Sequence, residues 1–146
     1  GYSKSGISFN NKKQYDNDNS VCISVTRSSS ANTLPYAMAG LSETGYDDAS
    51  SLCYAGKIND SNFGVATKDG STLSLASGSN ANDTNFHVYK QVLSASDVEM
   101  FFDGVTDVTK TTNLPITRLQ PTVLSMGNGI GSVVTTSIRY MECYNT

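Results

Sequence analysis

Residues 85–104, NFHVYKQVLSASDVEMFFDG, limit the possible folds more than any other part of the chain. Side chains on a strand alternate between its two faces. His87, Tyr89, Gln91 and Leu93 therefore share one side of a first strand, and Val98, Met100 and Phe102 share one side of a second. If Leu93 pairs with Val98 across Ser94-Ala95-Ser96-Asp97, then Gln91 meets Met100 and Tyr89 meets Phe102. The reverse face pairs Lys90 with Phe101 and Val92 with Glu99. A slip of one residue would carry the apolar groups to the wrong side, so this register is the self-consistent one. One apolar face and one mixed face are what a leaf of an antiparallel sandwich requires.

The rest of the chain fits that architecture. Strands are expected over 6–10, 21–27, 35–43, 51–58, 62–68, 71–76, 105–112, 122–126 and 136–144, with polar or glycine-rich loops between them. Val21, Ile23 and Val25 are expected to point inward from their strand. Asp69-Gly70 reads as a type I′ hairpin turn, because that turn needs φ > 0 at both central residues. Residues 77–84 read as a long loop. Strands recurring every ~8–12 residues with turn signals between them indicate an all-β, antiparallel two-sheet sandwich. A length of 146 residues suits one such domain, covering 1–146. Abundant Ser, Thr, Asn and Gly disfavour long helices.

Several function classes fall away at this stage. No apolar run reaches the length of a membrane-spanning helix, so insertion into a membrane is not expected. The chain opens on Gly1 without a signal-like segment, as an excised domain or processed product would. Ten basic and 13 acidic residues give a net charge of −3, and Lys12-Lys13 is the only adjacent basic pair. Nucleic-acid binding needs a basic stripe, which is missing.

Residues 85–87 and 98–105 together resemble the signature of the concanavalin A-like jelly rolls, the superfamily that includes the laminin G-like domains. Further segments are similar to elements of phage and viral fibre-associated members: Ala39-Gly40-Leu41-Ser42-Glu43-Thr44-Gly45, residues 62–70, 111–115 and 138–144. Phenylalanine stands at 63 and 86 where relatives often carry tryptophan. The resemblance implies a concanavalin A-like jelly roll. It also implies a recognition or assembly module on a virion fibre, spike or decoration protein, placed outside the cell or on the virion surface.

The three cysteines leave two readings open. Simple alternation points Cys22 outward, Cys143 shares parity with Met141, and Cys53 fits either face. An odd count precludes complete internal pairing. One reading is three small, buried thiols. The other is a Cys22–Cys143 bridge, because the resemblance makes those two strands neighbours; their opposite parity argues against it.

Catalytic patterns are scarce. His87 is the only histidine and faces inward, where a hydrogen-bonded core group is the simpler reading. No strand carries the alternating acids of a glycosidase. Glu99 and Asp103 are the nearest carboxylates of equal parity, and Asp103 reads as a turn residue. The expectation is a non-enzymatic protein with no cofactor. If a metal binds, it is Ca²⁺ at Asp47 and Asp48, against the simpler reading of solvated loop acids. The candidate ligand site is a platform of Phe101 with Lys90 and Glu99, rimmed by Tyr46, Asn80, Asn82 and Asn128. Its partner is expected to be a surface glycan, a neighbouring protein or a second copy of the chain. A polysaccharide-active enzyme or its accessory module is one alternative, and a purely structural virion domain is another.

Overall fold

A computed structural model describes residues 3–8, 12–31, 36–44, 51–59, 61–127 and 134–146. Eleven strands run through these residues: β1 Ser3–Ser8, β2 Asn19–Ser28, β3 Ala37–Ser42, β4 Ser51–Lys57, β5 Asn62–Asp69, β6 Leu73–Ala81, β7 His87–Ser94, β8 Val98–Phe102, β9 Val105–Lys110, β10 Gln120–Gly127 and β11 Thr136–Asn145. They form two antiparallel sheets. One has six strands in the order β1-β10-β3-β4-β5-β6, and the other five in the order β11-β2-β7-β8-β9.

The hairpin that opened the sequence reading holds in full. Leu93 pairs with Val98, Gln91 with Met100, Tyr89 with Phe102, Lys90 with Phe101 and Val92 with Glu99. Tyr89 and Phe102 are buried between the sheets, with ring centroids 5.6 Å apart. Phe63 from β5 crosses to meet both, 5.7 Å from Tyr89 and 5.2 Å from Phe102. Around them pack Leu41, Cys53, Ala55, Val65, Leu93, Val98, Met100, Val108 and Leu119. Gln91 is fully buried but satisfied: its amide donates to the Ala39 carbonyl at 2.8 Å, and its oxygen accepts from the Cys53 thiol at 3.3 Å. Burial pushes the Cys53 thiol well up, so it stays protonated as that donor.

Three sequence expectations need correction. The inward residues of β2 are Ser20, Cys22, Ser24, Thr26 and Ser28; the Val21, Ile23 and Val25 side forms the outer face, where Val21 is buried and Ile23 and Val25 are partly exposed. Alternation fixes the period of a strand but not which phase is buried, and here the small polar set lies inside. Cys22 consequently faces Cys143 directly across β2 and β11, and the two form a disulfide. Parity therefore favours the bridge, and Cys53 alone remains a buried free thiol.

The type I′ turn lies at Asp103-Gly104, not at Asp69-Gly70. Both central residues have positive φ there, 48° and 88°, and Phe102 pairs directly with Val105. At the end of β5 the Asp69 carboxylate instead accepts from the backbone N–H groups of Ser71 (3.3 Å) and Thr72 (3.0 Å), closing a longer loop. These bonds hold the Asp69 carboxyl down to about 2. Finally, β6 runs on to Ala81 through much of the expected 77–84 loop.

Candidate functional site

The structure divides the expected site. Phe101, Lys90 and Glu99 come together on the outer face of the five-stranded sheet, with the Lys90 ammonium 5.3 Å from the centre of the Phe101 ring. Tyr46, Asn128, Asp47 and Asp48 lie outside the described residues. Asn80 lies near the end of edge strand β6, and Asn82 is the first residue after it. Asn82 serves the backbone there: its amide donates to the Asn59 carbonyl at 2.9 Å. Among the described residues no three His, Cys, Asp or Glu side chains gather as metal ligands.

Asn80 belongs to a groove that the sequence reading did not anticipate. The groove runs between β6 and the β8–β9 turn and is lined by Ser79, Asn80, Phe102, Asp103, Val105, Thr106 and Asp107. Its volume is about 400 Å³. A break in register makes it. Phe101 pairs with Thr106 and Met100 with Val108, which leaves Asp107 as an extra residue in β9. A bulge of this kind bends the strand and re-aims a side chain. The Asp107 carboxylate turns to β6, where it accepts from the Ser79 backbone N–H (2.9 Å) and hydroxyl (2.6 Å). Burial opposes its charge, but those bonds and one from Asn80 outweigh it and hold the carboxyl below its ordinary value. Residue 78 has to be glycine for this. A Cβ there would sit 1.8 Å from Asp107 Oδ2. Thr106 joins the groove to the outer face, because it pairs with Phe101.

The second acid of the groove, Asp103, is fixed from behind. It accepts from the Val88 backbone N–H at 2.8 Å and from His87 Nδ1 at 2.7 Å. His87 Nε2 lies 3.0 Å from Asp83 Oδ1, and Asp83 in turn accepts from Asn85. The imidazole packs on Phe102 (4.5 Å) and Phe63 (5.2 Å). The expectation of a hydrogen-bonded inward histidine holds, and so does that of a turn-stabilising Asp103. Two carboxylate partners require both ring nitrogens to donate, so His87 is an imidazolium. Partial burial works against that charge, but the bonds to Asp103 and Asp83 prevail and raise the His87 pKa above its usual value.

A pH dependence follows. A raised histidine stabilises the folded state fully below the unfolded value of about 6.5, and that contribution is lost as pH rises through the folded value. The urea midpoint is expected to fall as pH rises above about 6.5, and to fall less in His87→Gln. Identical slopes in the two proteins would show that the cluster is not ionised as described.

The comparisons with known proteins address the fold. No family model matches the chain, and no curated protein matches it in sequence. Among solved structures, a native glycosidic hydrolase superposes with a TM-score of 0.61 at 14% identity over 87% of this chain. This chain spans 65% of that protein's length. The Caenorhabditis elegans galectin LEC-6 gives 0.57 at 11% identity, covering 97% of this chain and 90% of that one. The carbohydrate-binding module CBM66 from Bacillus subtilis gives 0.54 at 12% identity, covering 93% and 81%. The fold is thus a concanavalin A-like sandwich, an architecture shared by lectins, carbohydrate-binding modules and glycoside hydrolases.

Proposed function

We propose that this protein is a non-catalytic recognition module that binds a glycan in the groove between β6 and the β8–β9 turn. The observation that carries the reading is the chemistry of the groove walls. Asn80, Ser79, Thr106 and the Asp103 carboxylate offer hydrogen-bonding groups, with Asp107 holding Ser79 in position, while Val105 and the neighbouring Phe101 supply apolar surface. Polyhydroxyl ligands need that mixture. No lysine or arginine lines the groove, so the sugar residue seated in it is neutral. Galectin and carbohydrate-binding-module neighbours support a sugar ligand at the level of fold only.

The hydrolase reading is weaker on the same geometry. Asp107 already accepts from the Ser79 N–H and hydroxyl, bonds that favour its charged form over the proton-donor form a carboxylate pair needs. Asp103 is committed to His87 and the Val88 N–H. By the sequence resemblance, the setting is a virion fibre, spike or decoration protein, where many copies multiply weak single contacts. The disulfide agrees with an oxidising, extracellular environment.

A glycan array followed by calorimetry tests the reading. Asp107→Asn and Phe101→Ala are expected to weaken the best ligand by about tenfold or more, roughly one good hydrogen bond or stacking contact. Unchanged affinity in Asp107→Asn, with an unchanged urea midpoint, would remove the groove from recognition.

A further inference from the structure

The register also breaks in β11. Ile138 pairs with Thr26 and Tyr140 with Val25, so Arg139 is an extra residue, as Asp107 is in β9. Its guanidinium carbon lies 3.9 Å from the centre of the Phe86 ring, and that of Arg27 lies 4.9 Å from the same centre. Two like charges are therefore gathered on one ring. Each contact with the ring is attractive, and mutual repulsion of the two guanidiniums opposes it.

Carboxylates are in excess on this chain, yet neither guanidinium has one within ion-pair distance among the described residues. Asp83 and Asp103, close by at the start of β7, are both engaged by His87. Phe86 thus presents two arginines with their hydrogen-bonding forks free. Paired guanidiniums of this kind suit a carboxylate or a sulfate group.

We propose that Arg27 and Arg139, gathered on Phe86, form an oxyanion site, and that the glycan of the groove is acidic, with its carboxylate or sulfate ester on this pair. The extension rests on the reading of the groove as a glycan site. Both features lie at one end of the five-stranded sheet. Phe86 directly precedes His87, which bonds Asp103 of the groove. Strands β2, β7, β8 and β9 are successive neighbours. At about 4.8 Å per strand, β9 is about 10 Å from β7 and about 14 Å from β2. A short oligosaccharide lying across the strand ends covers that distance. Its neutral residue meets the acids of the groove and its anionic residue meets the arginines, so the two ends of the site also fix its direction.

The test follows the arginine Nε–Hε signals by NMR in the intact folded protein. Sodium sulfate and sodium glucuronate are titrated against sodium chloride at matched ionic strength. The Arg27 and Arg139 signals are expected to shift saturably in the first two salts, and the larger response identifies a sulfate or a carboxylate site. Asp107→Asn is expected to leave this response intact, and R27Q/R139Q to abolish all saturable binding. Shifts that track ionic strength alone in all three salts overturn the oxyanion site.

A glycan array with neutral, uronate-bearing and sulfated members separates the two readings. Acidic hits that vanish in R27Q/R139Q and weaken in Asp107→Asn support the proposal. Hits confined to neutral members overturn it and leave the groove reading standing. Acidic hits lost in R27Q/R139Q but untouched by Asp107→Asn keep the arginine site and overturn the groove.

Discussion

Replacing Phe102 by alanine is expected to destabilise the protein by about 3–5 kcal/mol, the range for truncating a buried aromatic. The side chain is the meeting point of both sheets. Its ring contacts Phe63 from the six-stranded sheet and Tyr89 and His87 from its own. Removing it opens a void that these rigid rings cannot refill, so the transfer and cavity contributions both apply. Phe101, one residue earlier on the opposite face, is the internal control. It is half-exposed and touches Lys90, and Phe101→Ala is expected to cost about 1 kcal/mol or less. Urea unfolding of the two variants measures both values. A loss below about 1 kcal/mol for Phe102→Ala, or equal losses for the pair, would mean that the faces of the hairpin are exchanged.

Loss of the Cys22–Cys143 bridge is the second large effect. The two cysteines are 121 residues apart, so the bond closes nearly the whole chain into a loop. Constraining so long a loop is worth up to about 5 kcal/mol in the chain-entropy account, and removal of such bonds typically costs about 2–5 kcal/mol. The double variant C22A/C143A, and the wild type under reductant, are expected to unfold at clearly lower urea. Thiol titration supplies an independent readout. Unfolded without reductant, the chain should expose Cys53 alone, and with reductant all three cysteines. Three thiols in the absence of reductant, or an unchanged midpoint in C22A/C143A, would show that the bridge does not form.

Much of the fold was legible because one segment carried an unambiguous pattern. In the β7–β8 hairpin the apolar residues alternate strictly, and a single register satisfies every pair. Strand β2 was legible in extent but not in phase. Its two faces are Ser/Thr/Cys and Val/Ile, and hydrophobicity alone chooses the wrong one. The interior accepts the small polar face partly through local bonds, such as that from the Ser28 hydroxyl to the Ser30 carbonyl. The disulfide was misjudged for the same reason, since parity inherits the error in phase.

The site was less legible than the fold. Phe101, Lys90 and Glu99 could be grouped from the register alone, and the structure groups them. Asn80 reads as a loop residue in the sequence and lies instead near the end of edge strand β6. Asp107, Arg139 and the Asp83–His87–Asp103 bridge were missed. Asp107 and Arg139 are the extra residues of bulges, and strict alternation has no place for an extra residue. The His87 bridge joins the approach to β7 with a turn 16 residues later. The available signal is the pairing of Tyr89 with Phe102, which sets Val88 opposite Asp103 and His87 one residue away.

The two bulges have a consequence for how such a protein diversifies. Asp107 and Arg139 occupy positions with no cross-strand counterpart, so strand pairing does not fix their identities, although Asp107 is tied to the other sheet through Ser79. Lineages descending from this chain can exchange them and shift what the surface recognises while the interior stays the same. Variation over evolutionary time should therefore concentrate at these unpaired positions and leave the Phe63–Tyr89–Phe102 cluster unaltered.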